Sequence, residues 1–550
     1  MITEARPGLD PWQSINWRKV EAEVRRLQVR IVKAEKKGHG RTVRKLQNLL
    51  VRSQSARLLA VRRVTTNRGK KTPGVDGKVL KTPRGKWDAA TNLSQKGYCP
   101  SPLRRVYISK SNGKMRPLGI PTMIDRIHQD LHRMGLEPVM ETRSDPNSYG
   151  FRPKRSVHDA IGQCLTVLAG HNRAEWILEA DIKGCFDNIS HQWLAKNTPT
   201  DKRTLRKWLE AGFLESGVLH ETKAGTPQGG IISPCLCDVA LNGLEETILS
   251  RFREGRRNAN KVHVVRYADD FIVTGNSKEV LIDEIKPLVV QFLEVRGLQL
   301  SEEKTHVVHI ESGFDFLGFN VRKYKKKLLI KPSQKSIKAV CRKVRDTFRA
   351  HRGAKALAMI GNLNPIIGGW ANHFKSVVSK DAFQRIDTAI WKSSWRWAKR
   401  RHSRKSSSWI VKRYYTRKGA RNWIFTDRGA NLKIMAQTPI KRHTKIKGAA
   451  NPYDPEWEAY FEKRWERQWM FQNKFRWKVL WRKQKGQCPA CGRKLNEDDE
   501  LDVHHRKPRV LGGDDSFGNL VLLHSICHRQ IHFFHRNGNL PGAIKHLFLA

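Results

Sequence analysis

Acidic residues are scarce in this chain. Its 550 residues include 51 Asp and Glu against 105 Lys and Arg, which gives a net charge of +54 at neutral pH. A surface kept basic only for solubility needs no such excess, so the composition predicts a polyanionic partner contacted over a wide surface. Nucleic acid is the simplest such partner. The length predicts several domains rather than one core.

The chain also has little that suits a secreted or membrane protein. It contains nine cysteines, an odd number, of which three gather near the C-terminus at Cys488, Cys491 and Cys527, so a disulfide framework is excluded. No apolar run has spanning length, and the N-terminus lacks the apolar core of a secretory signal. We therefore expect a cytoplasmic protein that contacts no membrane.

Residue patterns divide the chain into regions. Apolar spacing predicts a basic amphipathic helix over residues 16–38 and a second over 41–64. Residues 98–330 alternate β-rich runs with helical stretches, which indicates an α+β or α/β domain. Residues 331–450 contain 30 Lys and Arg but four acids, with helical periodicity, and predict a surface that binds nucleic acid. The predicted strands are Val106–Ile108, Trp176–Ile182, Val262–Val273 and Leu328–Ile330.

An acidic pair interrupts the β-branched run around residues 263–273. Asp269 and Asp270 fall at the tip of a predicted β-hairpin, where adjacent carboxylates repel each other unless a cation lies near them. Taken alone, an Asp-Asp turn is more often a solvated loop than a metal site. Asp181 ends a second apolar run, and three carboxylates from two strands can hold the two divalent ions that phosphoryl transfer needs.

These acids belong to an ordered set of motifs that resembles the reverse transcriptases encoded by group II introns. The resemblance covers nearly the entire chain, and it implies an α+β multidomain protein with the fingers, palm and helical thumb of a right-hand polymerase. The motifs that carry it are Arg116–Pro121, Asn147–Arg152, Asp181 with Phe186, Gln228–Pro234, Tyr267–Asp270, Leu300–Thr305 and Phe316–Phe319.

The resemblance implies roles for the palm and finger residues. Asp181, Asp269 and Asp270 would bind catalytic Mg²⁺, which prefers carboxylate oxygen. Phe186 would collide with a 2′-hydroxyl and so select dNTPs, which argues against an RNA polymerase. The other substrate-binding residues implied are Lys110 and Arg116 for the triphosphate and Gln228 for the template-primer and nucleotide.

Lys304 has two interpretations that stay open. It could protonate the departing pyrophosphate, or it could be a helix-capping or surface lysine.

Two ligand pairs near the C-terminus predict a structural Zn²⁺ site. Cys488 with Cys491 and His524 with Cys527 each enclose two residues, the spacing with which a knuckle presents two ligands to one tetrahedral ion. The residues between the pairs resemble the HNH nuclease ββα-metal fold.

The HNH resemblance implies a second catalytic centre. His505 would be the general base, and His504, Asn519 and His528 would form the nuclease metal site. Many HNH domains have Asp where His504 stands and Cys where His524 stands, so the nuclease ion could be Mg²⁺ or Mn²⁺. His532 is an alternative ligand for either site. A zinc knuckle that binds DNA without cutting it is the alternative interpretation.

Five domains follow from these regions and resemblances. They are a basic helical extension (1–75), fingers and palm (76–330), a thumb of the maturase X type (331–430), a DNA-binding segment (431–485) and an HNH domain with a zinc knuckle (486–550). The resemblance implies a ribonucleoprotein with intron RNA that assists splicing, nicks target DNA and copies the inserted RNA from dNTPs, a process called retrohoming. The rival hypotheses are a maturase with inactive enzymatic sites and an HNH endonuclease with an inert basic body.

Overall fold

The computed structural model describes residues 10–109, 113, 115–252, 260–419, 421–472, 475–496, 499–538 and 542–548. Its α-helices are α1 (Trp17–Lys36), α2 (Gly40–Arg52), α3 (Gln54–Thr66), α4 (Pro83–Thr91), α5 (Met123–Arg143), α6 (Val157–Leu168), α7 (Cys185–Asn188), α8 (His191–Asn197), α9 (Lys202–Leu209), α10 (Ser233–Leu241), α11 (Leu244–Arg251), α12 (Lys286–Glu294), α13 (Gln334–Ala350), α14 (Ala356–Phe374), α15 (Lys380–Arg401), α16 (Ser407–Tyr414), α17 (Glu458–Gln472), α18 (Phe475–Lys483) and α19 (Ser525–Arg536).

The strands are β1 (Leu103–Ser109), β2 (Met115–Ile120), β3 (Trp176–Asp181), β4 (Phe213–Glu215), β5 (Val218–His220), β6 (His263–Tyr267), β7 (Asp270–Gly275), β8 (His306–His309), β9 (Phe314–Phe316), β10 (Phe319–Tyr324), β11 (Lys327–Pro332), β12 (Tyr415–Lys418), β13 (Arg421–Asp427), β14 (Ala430–Asn431), β15 (Leu501–His505) and β16 (Leu520–His524). These elements include the four predicted strand regions, and they confirm the α+β fold class. Among the described residues, no helix combines the length and apolar character of a membrane span.

The chain divides into two compact units. The first contains residues 1–144, 186–240 and 449–550, and the second contains residues 145–185 and 241–448. Each is described below by itself.

The first unit is built on the N-terminal helices. Asn16 caps α1 by accepting a hydrogen bond from the Lys19 amide, and Val20, Val24 and Ile31 are buried on one face of that helix. These side chains join the interior faces of α2, α3 and α5 in one apolar core. The same unit holds the sheet β2-β1-β4-β5 and the C-terminal hairpin β15-β16.

The predicted second helix is two helices in the structure. Ser53 ends α2 and begins α3 with an extended backbone (φ −65°, ψ 130°). A serine competes poorly for the helix interior and well for its ends, which explains the break. The change of direction lets Leu50 and Leu58 both become fully buried in the same core. The prediction of one continuous helix over 41–64 is therefore wrong.

The second unit is built on the sheet β6-β7-β3-β8, whose neighbours are all antiparallel. Ile177, Leu178, Ile272 and Val273 are buried in its centre. Two three-stranded sheets follow, β11-β10-β9 and β12-β13-β14, with helices α13 to α16 between them along the chain. The helical character predicted for 331–450 is confirmed by α13, α14 and α15.

Two buried histidines of α5 make the stability of the fold depend on pH, and this dependence can be measured. Burial lowers the pKa of His128 to about 3 and that of His132 to about 4. The His128 ring stacks on Tyr98 at 3.7 Å between centroids, and the His132 ring meets Trp208 edge-on at 5.0 Å. Unfolded histidine titrates near pH 6.5, so below that pH the unfolded chain binds more protons than the folded one and the fold loses stability.

We expect the free energy of unfolding to fall by up to about 1 kcal/mol per histidine for each pH unit between pH 6.5 and 5. Thermal unfolding midpoints of the wild type and of His128→Gln and His132→Gln variants should show a weaker pH dependence in the variants. His39→Gln, at an exposed helix start, is the control and should behave as the wild type. Equal slopes for all four proteins would contradict the assignment.

Candidate active sites and metal cluster

Three carboxylates meet at one end of the sheet β6-β7-β3-β8. Asp181 is the last residue of β3 and lies directly opposite Asp270, the first residue of β7. Asp269 lies in the two-residue turn between β6 and β7, beside Ala268, which adopts a left-handed backbone (φ 58°). The predicted hairpin with acids at its tip is therefore present, and sheet register brings Asp181 to it.

The electrostatics of this end are those of crowded anions. The pKa of Asp270 is raised to about 7, although its side chain still reaches solvent. Partial burial is the largest cause, followed by repulsion from Asp269 and then by the hydrogen bond and charge of Asp181. The Lys304 ammonium lies 2.7 Å from the Asp181 carboxylate and opposes that rise. Such crowding is relieved by cations, so the three residues suit a divalent ion.

Lys304 is an exposed lysine whose ammonium faces one of the carboxylates. Its hydrogen bond to Asp181 raises the pKa of the ammonium above its ordinary value. The short 3₁₀ helix Glu302–Lys304 is attached to the sheet because the Ser301 amide donates to the Asp181 carbonyl. The lysine and the aspartate thus share one local framework.

The segment Asn147–Gly150 supports the acidic hairpin from behind. The Arg266 amide donates to the Asn147 carbonyl, and the Tyr149 amide donates to the Arg266 carbonyl, so the segment runs parallel to β6. A Cβ on Gly150 would lie 2.1 Å from the Ala268 amide nitrogen, a distance that no side chain tolerates. This part of a predicted finger motif therefore positions the turn that carries Asp269.

The predicted substrate-binding residues Arg116, Phe186 and Gln228 belong to the first unit. The Arg116 Nε donates to the side-chain Oε1 of Gln228 at 2.7 Å. The Gln228 Nε2 donates to both carboxylate oxygens of Asp187, at 2.9 and 3.0 Å. Asp187 thereby fixes the orientation of the glutamine, and the glutamine holds the guanidinium. Lys110 lies outside the described residues.

Phe186 lies in α7, the short helix that follows β3. Its side chain is buried, and its carbonyl accepts a hydrogen bond from the Thr226 amide at 2.6 Å. Gly225 has a left-handed backbone (φ 86°), and a Cβ there would lie 2.7 Å from the Phe186 carbonyl. The 225–228 loop can approach α7 this closely only because residue 225 is glycine.

Four ligand atoms gather at the C-terminal knuckle. Cys488, Cys491, His524 and Cys527 present ligand atoms within 4.8 Å of one another. The Cys491 and Cys527 sulfurs lie 3.4 and 3.6 Å from the His524 Nδ1. The spacing-based prediction that both pairs share one centre agrees with this cluster.

Asp499 orients the histidine of this cluster. Its carboxylate lies 3.2 Å from the His524 Nε2, on the side of the ring away from the cysteines. Burial opposes protonation of His524, but the bonds to Asp499, Cys488 and Cys491 prevail and raise its pKa to about 11. A carboxylate behind a ligating imidazole is the usual support of a metal-bound histidine.

The predicted ββα arrangement of the nuclease is formed by β15, β16 and α19. His505 ends β15, and its Nε2 lies 2.9 Å from Asp515. Asp515 also pairs with Arg509 at 2.6 Å and with Arg476 at 3.3 Å, and the Arg509 and His505 bonds hold its pKa below the ordinary range. His505, Arg476 and Arg509 line one cavity of about 450 Å³.

Three histidines form a second cluster in this domain. His504, His528 and His532 present ring nitrogens within 4.8 Å of one another, with 3.1 Å between the His528 and His532 Nε2 atoms. The His504 Nε2 lies 2.9 Å from the Leu547 carbonyl, and the His528 Nδ1 lies 3.2 Å from Asp502. The His528 ring therefore has one nitrogen at a carboxylate and the other facing His532.

The Asn519 side chain bonds to backbone groups of its own loop. Its amide donates to the carbonyls of Lys507 and Asp514, and its oxygen accepts from the Lys507 amide at 2.7 Å. These bonds close the 507–519 loop that carries Asp515. The structure thus places His532, which the sequence left as an alternative, with His504 and His528, and gives Asn519 a role in loop geometry.

Family models match the chain in four consecutive regions. They are described as the N-terminal domain of reverse transcriptase (residues 12–93), reverse transcriptase or RNA-dependent DNA polymerase (108–321), the maturase-specific domain of group II introns (337–415) and HNH endonuclease (488–534).

Protein YkfC of Escherichia coli is 34% identical over 297 residues, which are 47% of this chain and 78% of YkfC. The group II intron-encoded protein LtrA of Lactococcus lactis is 33% identical over 293 residues, 42% of this chain and 48% of LtrA. The chain belongs to the group II intron-encoded proteins. It spans about half the length of LtrA.

A telomerase structure from Candida albicans with a telomeric RNA fragment aligns over 58% of this group II intron-encoded protein and 65% of that chain. The identity is 14% and the TM-score 0.33, which is too low to establish a common architecture.

Sequence reasoning missed three residues of this group II intron-encoded protein. They are Asp187, Asp499 and Asp515, each of which bonds to a residue that the sequence did identify. Asp187 lies next to Phe186, and Asp515 follows the Gly512-Gly513 turn between the two nuclease strands. Their position close to recognised motifs was the available signal, but which of several acids bonds to a site residue depends on loop geometry.

Replacing Gly150 tests the support of the acidic hairpin. Gly150→Ala places a methyl group against the Ala268 backbone, so we expect a loss of about 2 kcal/mol of stability or more and a displaced Asp269 turn. Primer extension should fall with it. Gly361→Ala in α14, where a Cβ meets nothing within 4 Å, is the control and should retain wild-type stability and activity. Normal primer extension by Gly150→Ala would contradict this role.

Proposed function

We propose that this group II intron-encoded protein binds its intron RNA, assists its splicing, and mediates retrohoming into a DNA target. The HNH domain nicks one target strand, and the palm extends the resulting 3′-end with dNTPs on the inserted RNA. Support comes from the order of the matched domains and from a charge of +54. The protein would act in the cytoplasm.

The observation that carries the polymerase assignment is the register that sets Asp181 opposite Asp270 beside the Asp269 turn. We assign Asp181, Asp269 and Asp270 as the residues that hold Mg²⁺. When bound, the ions lower the pKa of a primer 3′-hydroxyl and neutralise the triphosphate. We assign to Lys304, whose ammonium bonds to Asp181, the donation of a proton to the departing pyrophosphate.

Arg116, Lys110 and Phe186 supply the substrate contacts in this proposal. Arg116, oriented by Gln228 and through it by Asp187, binds the triphosphate, and Lys110 is assigned with it. Phe186 excludes a 2′-hydroxyl, so the product is DNA. A guanidinium held in advance loses less entropy when phosphate binds.

We assign Zn²⁺ to the Cys488, Cys491, His524 and Cys527 cluster, because a closed set of three thiolates and one imidazole suits a structural ion. His504, His528 and His532 would hold the nuclease ion, Mg²⁺ or Mn²⁺, and imidazole donors favour Mn²⁺.

His505 is the proposed general base of the nuclease. Asp515 fixes the orientation of its ring, as the carboxylate does in other base–carboxylate pairs, while Arg509 and Arg476 line the cavity where a phosphate would sit. Asn519 positions the loop that carries Asp515.

The domain boundaries proposed from the sequence give each region a task. Residues 1–75 and 331–430 bind intron RNA, residues 76–330 contain the polymerase, residues 431–485 contact target DNA, and residues 486–550 cut it.

Asp269→Ala should abolish cDNA synthesis and leave RNA-assisted splicing largely intact. Loss of one metal-binding carboxylate removes several kcal/mol of transition-state stabilisation, which lowers primer extension about a thousandfold or more. Primer extension on an RNA template with dNTPs and Mg²⁺ measures the first activity, and a splicing assay measures the second. Asp283→Ala, at an exposed carboxylate of the same unit, is the control. Loss of splicing alone would contradict the roles assigned.

His505→Ala should remove target-strand nicking, by about a hundredfold or more, and leave primer extension unchanged. Asp515→Asn should lower nicking by less, because the base remains but its orientation is no longer fixed. The neighbouring Asp514→Asn is the matched control, since Asp514 bonds through its carboxylate to Ser516. If His505→Ala still nicks supercoiled DNA at the wild-type rate, the general base lies elsewhere.

A further inference from the structure

A cluster of partly exposed tryptophans lies in the second unit. Trp391 and Trp395 are one turn apart on α15, with ring planes 21° from parallel and centroids 6.3 Å apart. Trp423 comes from β13 and meets both rings edge-on, at 6.2 and 5.6 Å. Trp391 is 37% exposed and Trp423 is 44% exposed. We call these three residues the tryptophan platform.

The position of Trp423 depends on a distortion of the hairpin. Arg417 on β12 faces both Asn422 and Trp423 on β13, so β13 contains a β-bulge there. Trp423 adopts a left-handed backbone with φ 65°, which is rare for a large aromatic residue. A bulge redirects a side chain from the regular alternation of a strand, and here it turns the indole onto α15 while leaving it open to solvent.

The platform rests on a rigid base. Tyr415 is buried beneath it, with ring centroids 5.9 Å from both Trp395 and Trp423. Its hydroxyl lies 2.9 Å from the hydroxyl of the buried Ser394. The outer indoles are thus supported by residues that are themselves fixed, and little side-chain entropy remains to be lost when a flat ligand binds.

The surroundings of the platform are cationic. Lys392 and Arg396 follow Trp391 and Trp395 on α15, and Arg417 and Lys418 lie on the hairpin strand β12, all four exposed. Asp387 and Asp427, two of the three acids between residues 380 and 430, bond to backbone amides through their carboxylates.

We propose that the tryptophan platform binds unpaired nucleotides of the intron RNA by stacking bases on the indoles of Trp391 and Trp423. This inference rests on the proposed RNA-binding function, and it names a site and a ligand class for it. Flat aromatic rings among cations suit single strands, because a base in a duplex has its faces already covered. Two of the three tryptophans lie within the region that matches the maturase-specific domain.

The test compares a labelled oligoadenylate RNA of about twelve nucleotides with an RNA duplex of equal length, using fluorescence anisotropy and the full chain. Trp391→Ala and Trp423→Ala should each weaken single-strand binding about fivefold to a hundredfold, while duplex binding stays near the wild-type value. The Phe variants should keep most of the affinity, since a phenyl ring still stacks. Trp409→Ala, half-buried in the neighbouring helix α16, is the control and should bind as the wild type.

Salt dependence separates stacking from charge. The tryptophan variants should keep the wild-type slope of log affinity against log salt, whereas Lys392→Ala should reduce it by about one. Wild-type affinity in both Trp→Ala variants, or an equal loss for the duplex, would overturn the platform and leave the proposed function standing. A wild-type chain that binds neither RNA would overturn both.

A measurement on the unaltered protein avoids any effect of substitution on folding. Photocrosslinking with a single-stranded RNA that contains 5-iodouridine, followed by peptide mapping, should give adducts within Lys380–Arg401 and Arg421–Asp427. Adducts confined to other regions would overturn the proposal.

Discussion

The antiparallel pairing of β3 with β7 is the constraint on which the palm depends. It sets Asp181 opposite Asp270, and strand partners have Cα atoms about 5 Å apart. Ionised carboxylates gathered at one point repel each other, and this repulsion adds to partial burial in raising the pKa of Asp270 to about 7. A bound cation would relieve the same repulsion.

The chain contains three clusters of candidate metal ligands, and each cluster is made of a different type of side chain. The palm gathers carboxylates, the knuckle gathers three thiols and an imidazole, and the HNH domain gathers three imidazoles. Hard oxygen ligands suit Mg²⁺, thiolates suit Zn²⁺, and neutral imidazoles suit transition ions. Since neutral imidazoles do not repel one another, His504 can be buried where an aspartate would need a partner. Burial lowers its pKa to about 4 and so keeps it neutral.

The sequence was sufficient wherever function follows from local pattern. The hairpin around Asp269, the end of β3 at Asp181 and the two knuckle pairs were predictable because strand alternation and ligand spacing are short-range signals. The sequence was insufficient where a single backbone conformation determines the direction of a helix or of a side chain. The break at Ser53, the bulge at Trp423 and the turn of Asp515 toward His505 depend on the backbone conformation of single residues and loops, which periodicity does not report.

One such long-range connection joins the two ends of the first unit. Arg493 pairs with Asp499, which orients His524, and it also pairs with Glu21 of α1, which in turn bonds to Arg62 of α3. Gln530 donates to the carbonyls of Gln13 and Ile15. Removing one member of a partly buried ion pair leaves its partner unsatisfied and costs more than the pair contributes. The support of His524 near the C-terminus therefore depends on the helices α1 and α3 near the N-terminus.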